Sequence, residues 1–116
     1  MSSARQTLHR SRRIRHRREF VELYERGSRR RGRFMTVFVR FTAGPASRLG
    51  VAASKRFGPA VARNRAKRRA RELFRLASLP RACDVVIVPR REILAAAFSS
   101  LQEDFARLVL EGPRRH

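Results

Sequence analysis

The densest cluster of chemically capable side chains in this sequence is a basic run between positions 63 and 75. It reads Arg63-Asn64-Arg65-Ala66-Lys67-Arg68-Arg69-Ala70-Arg71-Glu72-Leu73-Phe74-Arg75. At about 100° per residue, small and apolar residues share one arc of a helix: Ala62, Ala66, Ala70, Leu73, Phe74 and Ala77. A neighbouring arc carries Asn64, Lys67, Arg68, Arg71 and Arg75. The run therefore predicts a helix with one buried face and one cationic face that suits phosphate binding.

Two interpretations of the cationic face are open, a binding surface and a merely solvated one. Like charges four residues apart destabilise an isolated helix by ~0.2–0.5 kcal/mol per pair. Here the penalty recurs at Arg63/Lys67, Lys67/Arg71 and Arg71/Arg75. A solvated face usually interleaves acids, yet Glu72 is the only acid in the run. The pattern favours a polyanionic partner.

Aromatic residues form a second candidate site. Phe20 and Tyr24 are one helical turn apart, so both rings project from one side of a predicted helix. Phe38, or Phe34 beside it, is expected on an exposed sheet face. Such rings can stack on unpaired bases of any sequence, at ~1–3 kcal/mol per base. The alternative is that Phe20 belongs to the core, as helix aromatics usually do.

No arrangement in the sequence predicts protein-based catalysis. A protein nuclease needs converging carboxylates for metal or a histidine-centred acid–base site. The nine acids are scattered along the chain, and His9, His16 and His116 fall in the expected arm and tail. Cys83 is the only cysteine and is expected to be a small buried hydrophobe. We therefore expect no catalytic residue and no metal site in the isolated protein.

Composition limits the remaining possibilities. The chain has 116 residues, one domain's worth, with 29 Lys+Arg against 9 Asp+Glu and a net charge of +20. Nucleic acid is the first candidate partner for such a charge. There is neither an apolar run of spanning length nor a signal-peptide h-region, so no membrane is expected and the cytoplasm is the expected location. The predicted organisation is a basic flexible arm (1–13), one RNA-binding domain (14–110) and a basic tail (111–116).

The element order follows from periodicity. Helices are predicted at 17–26, ending at Gly27, from Pro59 to about Ala77, and at 91–110. Strands are predicted at 33–42, from Leu49 to near Ser54, and at 84–88. The first two strands are expected to pair as a hairpin, and the last two to run parallel through the long helix. A fourth strand could lie between Val51 and Phe57. The expected class is α+β, a two-layer sandwich of about four strands and three helices.

The basic run and its approach resemble a known family. Arg63-Asn64-Arg65-x-Lys67-Arg68-x-x-Arg71-Glu72-x-Phe74-Arg75 is similar to the RNR motif of the bacterial ribonuclease P protein component. The preceding Gly50-Val51-x-x-Ser54-Lys55-Arg56-x-Gly58-x-Ala60-Val61 is similar to that family's approach to the helix. The resemblance extends from about Ile14 to Val109. The family often has Asn, Phe and Lys where this chain has Pro59, Tyr24 and Arg56, which are mild departures.

The resemblance implies a left-handed β-α-β crossover, an exception to the usual hand, and two RNA surfaces. One would bind the catalytic RNA through Arg63, Asn64, Arg65, Lys67, Arg68, Arg71 and Arg75. The other, a cleft, would hold the 5′ leader of precursor tRNA through Phe20, Tyr24, Phe38, Lys55 and Arg56. The implied role is a non-catalytic subunit that assists endonucleolytic removal of the leader. The RNA subunit would use Mg²⁺, and no protein partner would be required.

Two other classes of protein share some of these features. A ribosomal protein or general RNA chaperone would explain the charge equally well, but it would not require the RNR order or the aromatic pair. A DNA-binding helix module is less favoured, since the basic helix is predicted between strands and not in a helix-turn-helix pair.

Overall fold

The computed structural model describes residues 12–79 and 81–110, which form three α-helices and one four-stranded sheet. The helices are α1 (Arg17–Arg26), α2 (Ala60–Leu76) and α3 (Phe98–Leu110). The strands are β1 (Ser28–Arg31), β2 (Met35–Phe41), β3 (Arg48–Val51) and β4 (Cys83–Pro89). The predicted α+β class, with four strands and three helices, is confirmed.

The strand order is β1-β2-β4-β3, with β4 in the interior of the sheet. The predicted parallel pairing of β3 and β4 through α2 is confirmed. The predicted hairpin of the neighbouring strands β2 and β3 is wrong, because β4 lies between them and pairs antiparallel with β2. Val85 and Val86 project to opposite faces of β4 and both have 0% exposure, which an interior position allows. The hand of the crossover stays a prediction.

The fourth strand is β1, and its expected position between Val51 and Phe57 is wrong. The chain there forms a 3₁₀ turn, Lys55–Phe57, because the parallel strand ends at Val51. β1 pairs antiparallel with β2. Its Arg30 is buried, and Nη1 donates to the carbonyl oxygens of Leu108 and Val109 at 2.9 Å each. These carbonyls lie in the last turn of α3, where helix acceptors lack intrahelical partners.

The sheet separates two apolar clusters. Met35, Val37 and Val39 alternate along β2 and face the larger cluster, which α2 and α3 cover. Phe38 and Val86 project to the opposite face, toward a smaller cluster beneath α1. α1 covers only part of that face, and the uncovered part is the floor of a cleft.

The single helix predicted at 91–110 is wrong, because the chain forms a 3₁₀ turn, Arg91–Leu94, before α3 begins at Phe98. Arg69 of α2 contacts the chain at this interruption. Its Nη2 donates to the carbonyl oxygen of Ala96 at 2.6 Å, and its guanidinium lies 5.9 Å from the centre of the Phe98 ring. Within the described ranges every helix is too short or too polar to span a bilayer.

Asp104 ties α3 to the turn between β1 and β2. Its side chain is buried, Oδ2 accepts a hydrogen bond from the Phe34 backbone N–H at 3.1 Å, and Oδ1 pairs with Arg107 at 2.6 Å. A buried carboxylate satisfied in this way is a structural group rather than an acid–base catalyst.

Part of the predicted arm contacts the domain. Arg12 Nε donates to the carbonyl oxygen of Ser47 at 2.7 Å, and Arg13 forms a parallel bridge with Leu49. Most of the arm, residues 1–11, and the tail at 111–116 lie outside the described residues. The domain boundaries therefore stay a prediction.

Candidate nucleic-acid interface

The cationic helix α2 begins after a tight turn. Gly58 has a φ of 156°, which favours glycine. Pro59 is the N-cap residue, so the helix begins at Ala60, one residue later than predicted. The buried residues of α2 are Ala66, Ala70, Leu73 and Phe74, which confirms the predicted core face.

The seven predicted RNA-binding residues of α2 differ in availability. Asn64, Arg65 and Arg68 are exposed, whereas Arg63, Lys67, Arg71 and Arg75 are partly buried. Arg63 Nη1 donates to the Gly58 carbonyl oxygen at 2.9 Å, and Arg75 pairs with Glu72. Arg65 and Arg68 are therefore the side chains of this set best placed to contact a phosphate backbone.

A small basic pocket lies where α2 meets the segment before α1. Its volume is about 230 Å³. The residues lining it are Arg13, Ile14, Arg15, Phe20, Leu49, Gly50, Val51, Lys67 and Arg71. Burial lowers the pKa of the Arg71 guanidinium, and the positive charge of Arg13 lowers it further. An anion in this pocket would relieve that repulsion. The sequence did not predict Arg13 and Arg15 as binding residues. Arg13 was assigned to the flexible arm, and Arg15 to the start of the domain.

The aromatic residues predicted for the second surface lie together. The ring centres of Phe20 and Tyr24 are 6.5 Å apart, and those of Tyr24 and Phe38 are 4.9 Å apart in an edge-on arrangement. Tyr24 is 41% exposed, whereas Phe20 is partly buried against Gly50. A Cβ atom at position 50 would lie 2.8 Å from the Phe20 ring, so glycine is required for this packing. Phe20 thus packs against the small cluster and also lines the basic pocket.

An open cleft of about 600 Å³ lies beside these rings. The residues lining it come from α1, from β1, β2 and β4, and from the segment after β3: Tyr24, Arg29, Thr36, Phe38, Ala52, Ser54 and Val88. The cleft therefore crosses the whole width of the sheet. Its floor is apolar and aromatic, and one of its walls carries a guanidinium.

Neighbouring depressions extend the cleft in both directions. One of about 350 Å³ shares Tyr24 and Ala52 with it and continues to Arg15 and Arg17, next to the basic pocket. Another of about 370 Å³ shares Ala52, Ser54 and Val88 and adds three arginines: Arg56, Arg90 and Arg91. The predicted cleft residues Lys55 and Arg56 are exposed on the 3₁₀ turn beside this second depression. Shared lining residues thus connect the cleft, through the first depression, to the basic pocket beside Lys67 and Arg71 of α2.

An ion-pair network fixes the first turn of α1 against the sheet. Arg48 of β3 pairs with Glu19 of α1 and with Asp84 of β4, each at 2.9 Å. Burial alone raises the pKa of Glu19, but the hydrogen bond and charge of Arg48 outweigh it and hold that pKa below its ordinary value. The hydrogen bond to Asp84 is the main reason that the pKa of Arg48 is raised. The network positions the helix that carries Tyr24.

Sequence reasoning also missed Arg29, because β1 was not predicted. This strand is a run of arginines at positions 29–31 and lacks the apolar alternation that identifies a strand in a sequence. The run of arginines itself was the only signal that could have drawn attention to Arg29. Arg29 stands opposite Phe38 in the β1–β2 register, and cross-strand partners project to the same face of a sheet. This places Arg29 on the cleft side.

The described residues include no group of three or more His, Cys, Asp and Glu side chains that could hold a metal ion. Cys83 is buried, and burial is the main cause that raises its pKa. Its Sγ lies 3.8 Å from Ser47 Oγ. A thiol in this setting packs in the core and is not a reactive nucleophile.

Comparison with known proteins gives a consistent result. A family model described as Ribonuclease P matches residues 8–111. The chain is 41% identical over 111 residues to the ribonuclease P protein component of Desulfovibrio desulfuricans, covering 92% of this chain and 82% of that protein. Its fold is similar to the RNase P protein of Thermotoga maritima (TM-score 0.76, 29% identity, 88% and 98% of the two chains covered). The Staphylococcus aureus RNase P protein is also similar (TM-score 0.72, 28% identity, 86% and 93% covered).

Proposed function

This chain belongs to the ribonuclease P protein component family, and we propose that it binds the catalytic RNA through α2 and the 5′ leader of precursor tRNA through the cleft. Family membership makes it a ribonucleoprotein component of tRNA processing. The division of labour between its two surfaces is our inference. The observation that carries it is the row of adjoining depressions that leads from Lys67 and Arg71 of α2 to the aromatic floor of the cleft.

The cleft suits an unpaired strand better than a duplex. Its floor presents the Phe38 ring and the aliphatic Val88, with Tyr24 standing at the side. Rings and apolar groups contact base faces, which a duplex hides in its stack. Precursor leaders differ in sequence, and stacking is tolerant of sequence because every base has a π face. Arg29 can neutralise the backbone of the same strand.

α2 suits a folded RNA with closely spaced phosphates. Arg65 and Arg68 are three residues apart and so project to the same side of the helix. Both are exposed, and among the described residues neither forms an ion pair with an acid. Binding through such side chains releases counterions and is strongly salt-dependent.

The protein is proposed to assist rather than catalyse. The described residues offer no ligand set for a resident metal, and we assign Mg²⁺ to the RNA subunit. A catalytic RNA and its substrate are both polyanions, so a protein that binds both lowers their repulsion and tethers the substrate. Because magnesium screens the same repulsion, the benefit of the protein is greatest at low magnesium. We place this activity in the cytoplasm, with no other protein required.

The test is single-turnover cleavage by the catalytic RNA across a magnesium titration, with and without the protein, on precursors with and without a leader. We expect the protein alone to cleave nothing, and its benefit to be largest at low magnesium and with a leader. Cleavage by protein that survives ribonuclease treatment of the stock would refute the helper role. A benefit independent of both magnesium and leader would refute the tethering role.

A further inference from the structure

The side chains of β1 alternate between two sides of the sheet and have two different tasks. Arg30 stands opposite Val37 and is buried toward α3, where it binds two carbonyl oxygens. Arg29 and Arg31 stand opposite Phe38 and Thr36, both of which line the cleft. Both arginines are exposed, and neither pairs with an acid among the described residues. β1 therefore presents a row of two free guanidinium groups on the cleft side.

The position of this row follows from the strand order. β3 is the edge strand at one end of the strand order, next to α2, and β1 is the edge strand at the other end. Strands are about 4.8 Å apart, so the distance from β3 to β1 across the cleft floor is roughly 14 Å. A strand that starts near α2 and crosses the floor meets Arg29 at the far wall of the cleft.

We propose that Arg31, together with Arg29, forms an exit track that binds the backbone phosphates of the leader upstream of the nucleotides held in the cleft. Alternate residues of a strand are about 6.6 Å apart, so the two guanidinium groups can contact separate phosphates. Arg30 and its contacts with α3 hold the track rigid. This inference rests on the proposed function, since it extends the leader-binding cleft by one further contact.

The proposal makes leader length the decisive variable. A short leader ends inside the cleft and does not reach Arg31, whereas a longer one does. Arg31→Ala should leave affinity for short-leader precursors unchanged and lower affinity for long-leader precursors by about two- to fivefold, the range of an exposed charge contact. The slope of log affinity against log salt should become shallower by about 0.7 for the lost single-strand phosphate. Arg31→Lys keeps the charge and should restore most of the affinity.

The experiment measures binding of the reconstituted holoenzyme to a series of precursors whose leaders grow one nucleotide at a time. Arg81→Ala is the matched control, because Arg81 is exposed just before β4, at the opposite end of the strand from Val88. A thermal melt of each variant establishes that it is folded. The expected result is a loss for Arg31→Ala that begins at a threshold length and is absent in the control.

The proposal would be overturned by an equal loss at every leader length, by no loss at any length, or by weaker binding of the catalytic RNA without substrate. A length-dependent loss for Arg91→Ala and not for Arg31→Ala would also overturn it, since the leader would then leave past the second depression. Failure of the proposed function has a different signature. In that case the wild-type holoenzyme itself would gain no affinity from any leader.

Discussion

Truncating Tyr24 should separate the proposed leader binding from folding, because this ring lines the cleft and is not part of the core. It is 41% exposed, and its main aromatic contact is the edge-on pair with Phe38 at 4.9 Å. A stacked base contributes about 1–3 kcal/mol, so Tyr24→Ala should weaken binding of leader-containing precursor by roughly five- to 150-fold. Binding of mature tRNA, which has no leader, should hardly change.

The cost to folding should be smaller. An aromatic pair contributes about 0.5–1.5 kcal/mol beyond its buried area, whereas truncating a fully buried aromatic costs about 3–5 kcal/mol. Leu23→Ala is the control on the same helix, since Leu23 is only 3% exposed and belongs to the small cluster. It should lower the free energy of unfolding by about 2–5 kcal/mol with no leader-specific defect. Phe20→Ala should show both effects, because that ring also packs against Gly50.

The assay is equilibrium binding of precursor and mature tRNA by the holoenzyme, with a thermal melt of each variant. Tyr24→Phe keeps the ring and should keep the affinity. Equal losses for precursor and mature tRNA after Tyr24→Ala would contradict stacking on the leader. A melting temperature lowered as far as in Leu23→Ala would show that Tyr24 is a core residue.

Three further predictions concern salt, pH and the fold. Arg65→Ala and Arg68→Ala should each weaken binding of the catalytic RNA and reduce its salt slope by about one; an unchanged slope in a salt titration of both variants would place the RNA contact elsewhere. Because the pKa of Glu19 is lower in the folded state, its pairing with Arg48 contributes stability above the ordinary pKa of 4.5 and loses it as pH falls through the folded value. The difference in unfolding free energy between wild type and Glu19→Gln should therefore shrink on acidification, and a constant difference would contradict the pairing. Asp104→Ala leaves the partly buried Phe34 backbone N–H without its acceptor and should cost about 1–3 kcal/mol in denaturant unfolding, while the folded fraction binds RNA normally.

Local periodicity of apolar residues was sufficient to predict the elements whose buried residues are also their apolar residues. The alternation of Met35, Val37 and Val39 and the core face of α2 both appear as predicted. In each case one face of the element packs against the apolar core. Apolar residues therefore recur in the sequence with the spacing of a strand or of a helix. The same reasoning located Phe20, Tyr24 and Phe38, and the structure places the Tyr24 ring next to both of the others, at 6.5 Å from Phe20 and 4.9 Å from Phe38.

The misassigned elements depend on contacts between distant residues. β1 has no apolar alternation, and its strand conformation depends on pairing with β2 and on the contacts of Arg30 with α3. The pairing error arose because a short connection favours a hairpin, whereas the apolar run at positions 85–88 of β4 is buried by neighbouring strands on both sides. At the break before α3, the Ala96 carbonyl oxygen accepts a hydrogen bond from Arg69, which lies 27 residues away. A local window contains none of this information.

The alternation along β1 also has a consequence for protein engineering. A net charge of +20 makes a protein prone to non-specific binding, and a natural remedy is to replace arginines that have no acidic neighbour. By that criterion Arg29, Arg30 and Arg31 are indistinguishable in the sequence, yet replacing Arg30 would strip two carbonyl oxygens of α3 of their donor inside the protein. Charge reduction in this strand therefore has to leave Arg30 in place, and a library that randomises the run as a block would remove this buried donor from most of its members.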